Sequence, residues 1–159
     1  MPSYRNLRLR DNYIVSCDMR NKHPRWVLDR VPHIENFGPD IVSDDDSYLF
    51  QPDPSIPVGS RSDNSDYANS PYDRGHLSPA RQHRYQPNFE WFRQSYWLSN
   101  IAPFVRDLNR ECSPWWRLER YVYSFLPKRI RNVYVVTGTM YHPGERDYNR
   151  IERVRELTG

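Results

Sequence analysis

Between Pro71 and Ser78 the chain reads Tyr-Asp-Arg-Gly-His-Leu, and His76 is the residue there with the most chemistry open to it. A neutral imidazole, with an ordinary pKa of about 6.5, accepts a proton near neutral pH and serves as a general base. Arg74, two residues earlier, carries a planar fork of donors suited to phosphate oxygens. Gly75 between them permits close backbone approach or unusual dihedrals. Two residues further along add oxygen ligands: the amide of Asn109 and the carboxylate of Glu119. Mg2+ is a hard cation that keeps several waters, so one amide oxygen and water-mediated carboxylate contacts can hold it. Its Lewis acidity stabilises charge on a phosphodiester and on the departing oxygen. The set suits metal-assisted phosphodiester cleavage. By residue type alone it equally describes a turn histidine, a loop asparagine bonding its own backbone and a solvated helix glutamate.

Unlike elements must position these groups. Residues 13–18 and 25–31, rich in β-branched and aromatic side chains, predict two strands joined by a turn over 19–24. Residues 32–71 are acidic and proline-rich and predict a long loop with little regular structure. Its run Asp44–Asp46 lacks the Gly and distal Glu of a calcium-binding EF-hand and reads as an exposed acidic segment. Residues 72–78 read as extended, and 81–94, interrupted by Pro87, as a short helix. The stretch 95–104 predicts a strand running into a loop at Asn100.

The clearest helix opens at Ser113–Pro114, an N-cap followed by a first-turn proline. Leu118, Tyr121, Val122 and Phe125 then form an apolar stripe, and Pro127 closes the helix. Helix phase puts Glu119 on the flank of that stripe, about 100° from Leu118, and turns Arg120 away by about 200°. Trp115 and Trp116 read as core residues, and 132–138 as a buried strand. The tail over 144–159 is charged and weakly patterned.

Composition narrows the partners. The 159 residues suit one domain, 1–159, with a partly aromatic core. A net charge of +3 conceals a strong asymmetry. Residues 35–73 carry nine acidic groups and one basic group, whereas 74–131 carry eleven basic and four acidic. A basic block interleaved with aromatics fits a polyanion, since Lys and Arg displace counterions from phosphates. Cys17 and Cys112 make no C-x-x-C motif. Cys112 as a nucleophile is disfavoured. No apolar run approaches the ~20 residues that span a bilayer. The first ten residues lack the apolar segment of a secretory signal.

The stretch "SPYDRGHLSPA" resembles the DRGH signature of the DNA/RNA non-specific endonucleases, the ββα-metal nucleases. "YWLSNIAPFVRDLN", "WWRLERYV" and "NVYVVTGTMYHP" follow in the family's order, and the likeness covers roughly residues 3–143. It is closest to the family's mitochondrial members.

The resemblance implies an α+β fold, an antiparallel sheet with packed helices. It also implies a Mg2+-dependent endonuclease, with Mn2+ as a substitute, acting on DNA and RNA as a homodimer. The expected address is mitochondrial, with the nucleus as a second. His76 is then the general base, Asn109 the direct metal ligand, and Glu119 the holder of metal-bound waters. Arg74 contacts phosphate beside the scissile bond. Asp73, Arg106 and Arg110 are assigned to the substrate, and Asn100 orients the catalytic region.

Some positions depart from the family's pattern. The segment from Asn109 to Trp115 is two residues longer than usual, which makes Glu111 the rival metal ligand. Phe104, Tyr123 and Thr139 replace the family's usual Gln, Arg and Pro. The family continues through further strands, so the chain is expected to lack its C-terminal strands. The alternative reading is a catalytically impaired pseudonuclease that binds nucleic acid or dimerises with a full-length relative.

Overall fold

A computed structural model describes residues 5–31, 33, 49–83, 88–131 and 133–139. The acidic run Asp44–Asp46 and the 144–159 tail lie outside the described residues. Strands β1 (Leu7–Leu9), β2 (Tyr13–Asp18), β3 (His23–Val31) and β6 (Val133–Gly138) form an antiparallel sheet in the order β1-β2-β3-β6. The β2–β3 pairing places Tyr13 opposite Asp29 and Val15 opposite Val27. Alternation therefore sends Tyr13, Val15, Cys17, Val27 and Asp29 to one buried face. That face packs with Ile56, Leu77, Ala102 and Phe104 to form the main core.

Strands β4 (Tyr72–His76) and β5 (Ile101–Val105) make a second antiparallel pair, with His76 opposite Ile101 and Gly75 opposite Ala102. Here Gly75 is needed for space. A Cβ on it would lie 2.2 Å from Cγ of Phe104, whose ring meets Trp115 edge-on with centroids 5.7 Å apart. Gly75→Ala must displace that ring from the core. It is expected to cost about 1–3 kcal/mol of stability, as overpacking does. Urea denaturation checks this, and an unchanged midpoint would contradict it.

Short helices link the sheets: α1 (Ala80–His83), α2 (Phe89–Ser95), α3 (Arg106–Asn109) and α4 (Pro114–Arg120). A second core cluster of Leu49, Phe92 and Tyr96 lies under the start of the described loop. That loop is pinned where Asp53, buried, takes an ion pair from Arg10 and hydrogen bonds from the Ser55 amide and hydroxyl. Among the described residues no helix is long and apolar enough to cross a membrane.

The structure corrects three sequence expectations. The strand expected before Asn100 follows it instead. Leu98–Asn100 is a 3-10 turn and Ile101–Val105 is the strand, because Asn100 spends its side chain on neighbouring backbone. The stripe on α4 is not core among the described residues, since Leu118, Tyr121 and Phe125 are each about half exposed. The helix also widens into a π turn over Tyr121–Phe125, which breaks the 3.6-residue phase on which the stripe rests. Finally, β6 buries only one side, leaving Tyr134 and Val136 exposed.

Candidate active site

His76 ends β4, where its imidazole lies against two rings. Tyr96 meets it edge-on with centroids 4.8 Å apart, and Phe50 is tilted at 5.4 Å. Its Nε2 is buried without a hydrogen-bond partner among the described residues. Burial, with smaller contributions from His83 and Arg74, holds its pKa down to about 3. The ring is therefore neutral across the physiological range, the state a proton acceptor requires.

The segment after His76 is clamped. Asn100, fully buried, accepts from the Ser78 amide (2.9 Å) and donates to the carbonyls of Ser78 (2.9 Å) and Ser95 (2.8 Å). Its own carbonyl accepts from the Leu77 amide at 3.0 Å. The Asn100 side chain is thus a backbone staple beneath the site, not part of the cavity wall.

Below the staple is a buried polar network. Ser78 donates to Asp29 Oδ1 (2.5 Å), His83 Nε2 lies 2.7 Å from the same hydroxyl, and the Tyr123 hydroxyl donates to Asp29 Oδ2 (3.1 Å). Burial raises the Asp29 carboxyl to about 7 and lowers His83 to about 4. The folded His83 refuses a proton that the unfolded chain accepts below about pH 6.5, so this residue subtracts stability as pH falls from there toward 4. His83→Gln should therefore lose less stability than the native chain between pH 6.5 and 4. Denaturation at several pH values checks this, and parallel pH curves would contradict it.

Asn109 ends α3, and its Nδ2 makes a long 3.5 Å hydrogen bond to Asp73. Arg106 and Arg110 also approach the Asp73 carboxylate, each at 3.8 Å. Asp73 thereby gathers the α3 segment onto β4. A carboxylate accepts hydrogen bonds only, so Asp73 fixes the amide with Nδ2 inward and leaves Oδ1 free. The loop that follows is tied down by Ser113, which accepts from the Trp116 amide (3.1 Å) and donates to the Leu108 carbonyl (2.7 Å). Glu119 lies on α4. Burial raises its carboxyl to about 7, with the Asp29 charge adding to the shift against a hydrogen bond from Trp115.

His76, Asn109 and Glu119 line one cavity of about 650 Å³, together with Tyr96, Gln82, Trp116, Arg120, Tyr123 and others. Arg120, expected to turn away, lines it too. Asp73, Arg74, Asn100, Arg106 and Arg110 do not. Arg74 instead stacks 4.1 Å above the Phe50 ring and donates to Asn64 at 2.8 Å, one ring away from His76. Glu111 is exposed and off the wall, as is Cys112. The side chains of Arg106 and Arg110 are mostly exposed; Arg106 also donates through Nη2 to the Ser70 carbonyl at 3.4 Å.

An oxygen-rich, water-accessible site with one free amide oxygen and one carboxylate fits Mg2+, which takes few protein ligands. Among the described residues no group of three or more His, Cys, Asp or Glu is arranged to hold a metal ion. Phe50, Tyr96 and Gln82 carried no sequence signal, because their places at the site are made by long-range packing.

Antiparallel strands packed with short helices, in this order along the chain, give the α+β fold of the ββα-metal nuclease class. The chain belongs to the DNA/RNA non-specific endonuclease family, whose model matches residues 2–155. It is 33% identical over 146 residues to human mitochondrial endonuclease G (Homo sapiens), covering 90% of this chain and 46% of that protein. It is 31% identical to mouse mitochondrial nuclease EXOG (Mus musculus), covering 86% and 35% respectively. The structure of an EndoG/EndoGI complex superposes with a TM-score of 0.76 at 34% identity, over 93% of this chain and 58% of that one. The chain spans about half the length or less of these curated relatives.

Proposed function

We propose that the chain is a Mg2+-dependent, sequence-tolerant endonuclease of DNA and RNA. The observation that carries this reading is the convergence of His76, Asn109 and Glu119 on one cavity. His76, held neutral at the cavity wall, takes the proton of the attacking water. Asn109 Oδ1 would hold the ion directly and Glu119 through water. The ion supplies Lewis acidity to the phosphodiester and the leaving oxygen. Asp73 orients Asn109, and Asn100 positions His76 through the backbone. Arg74, Arg106 and Arg110 present cations to the phosphates flanking the cut. The resemblance extends the proposal to a homodimer. Relatives named as mitochondrial suggest that address.

The Mg2+ concentration for half-maximal cleavage should rise about 10- to 100-fold in Asn109→Ala and Glu119→Gln, as loss of metal-holding groups does. An unchanged requirement in both would overturn the assignment. A second reading has its own support. Exposed Leu118, Tyr121 and Phe125, together with Tyr134 and Val136 on β6, supply apolar surface for a chain that works by associating with another protein.

A further inference from the structure

The active-site cavity adjoins a second hollow. Lys128 lines the cavity and also lines a groove of about 370 Å³, whose other walls are Tyr121, Phe125, Leu126 and Arg129. The groove follows a change of helical pitch. The π turn over Tyr121–Phe125 runs directly into a 3-10 turn over Leu126–Lys128, where buried Pro127 cannot continue an α-helix. Along these turns Tyr121 and Phe125 stand on the surface, 55% and 49% exposed.

The walls of the groove are mainly apolar, yet its two charged residues, Lys128 and Arg129, are both cations and both exposed. Exposed rings beside cations suit a ligand that carries flat apolar faces on an anionic chain. The two rings are not equivalent. The Lys128 ammonium stands 5.9 Å from the Phe125 centroid, so one face of Phe125 is already engaged. Among the described residues the Tyr121 side chain has no hydrogen-bond, ion-pair or ring partner, and its ring opens on the groove.

We propose that this groove is a base-stacking track for a single strand running out of the cut site, which rests on the nuclease reading above for its substrate. A base lies on the open Tyr121 ring, Phe125 and Leu126 form the apolar floor, and Lys128 and Arg129 meet the neighbouring phosphates. Continuity with the cavity favours a nucleic-acid strand over a protein as the occupant. Lys128 belongs to both hollows, so a strand lodged beside His76 extends into the groove without a break. Every base has a π-face, so the track grips without reading sequence. It does discriminate by length and pairing, because only an unpaired strand long enough to reach Tyr121 gains the stack.

The test measures binding by fluorescence anisotropy in EDTA, so no cleavage is required. It compares single strands of about 4 and about 12 nucleotides, within the range of single-strand site sizes, and a duplex of the longer length. Tyr121→Ala should weaken the longer single strand at least about fivefold, the lower end of what one base–aromatic stack contributes. The short strand and the duplex should bind this variant as they bind the native chain, and Tyr121→Trp should keep the native affinity for all three. Arg129→Gln should lower the salt slope for the longer strand alone by about 0.7, the worth of one single-strand phosphate contact. Should Tyr121→Ala fail to fold, that slope decides. Long-strand affinity unchanged in Tyr121→Ala overturns the track and leaves the groove to the protein partner of the second reading. An equal loss in the duplex overturns it as well, since a paired base cannot stack there. A chain that shows the Tyr121-dependent grip but never cuts keeps the track and loses the nuclease reading. One that cuts without that grip does the reverse.

Discussion

Replacing His76 with alanine should slow phosphodiester cleavage by about 10²–10⁴-fold, the range that a positioned general base contributes. The residual rate would come from the phosphate contacts and metal chemistry that the variant retains. Nucleic-acid affinity should stay within a few-fold of native, because the buried neutral imidazole contributes no charge to the basic surface. The ring also packs between Phe50 and Tyr96, and each such aromatic contact is worth about 0.5–1.5 kcal/mol. A drop in melting temperature is therefore expected as well. His76→Gln fills more of that space while lacking the proton affinity, so it separates the two effects. Single-turnover cleavage at saturating Mg2+, beside thermal unfolding of both variants, reads them apart. Cleavage at the native rate in either variant would remove His76 from the chemistry.

The largest stability effect is expected at Asn100. Asn100→Ala strands the Ser78 amide and the Ser78 and Ser95 carbonyls in the interior. Each such group costs about 1–3 kcal/mol, so the three together cost about 3 kcal/mol or more, a large share of the 5–15 kcal/mol that holds a typical domain. Asn100→Asp keeps the acceptor for the Ser78 amide but turns an acceptor toward the two carbonyls, so it should rescue little. Since the staple holds the residues directly after His76, any folded fraction should also cut more slowly. Denaturant titration checks the stability claim, and a loss under about 1 kcal/mol would show that the staple is not needed.

What the sequence revealed and what it hid divide along a physical line. The β2 and β3 strands, the extended DRGH segment and the Ser113 cap were legible because each is a local pattern. His76, Asn109 and Glu119 were nominated by chemistry, resemblance and order along the chain. Their shared cavity depends on contacts made across the sheets. Asp73 was assigned to substrate, yet it accepts from Asn109 and pairs with Arg106 and Arg110, residues 33 to 37 positions later, which no local pattern encodes. The α4 stripe misled for a related reason. Helical spacing of apolar residues states which face is apolar, not what covers it. Helix phase turned Arg120 from the apolar stripe, and with that stripe itself half exposed the phase did not say that Arg120 lines the cavity.

The proposed nuclease rests on His76, Asn109 and Glu119 converging on one cavity. The direct measurement is a time course of supercoiled plasmid and of RNA with the purified chain in Mg2+, then in excess EDTA, then with Mg2+ restored. Nicking and RNA loss are expected in Mg2+, with arrest in EDTA and recovery when the ion returns. Cleavage that continues in EDTA, or nucleic acid that is bound but never cut in Mg2+, would contradict that expectation.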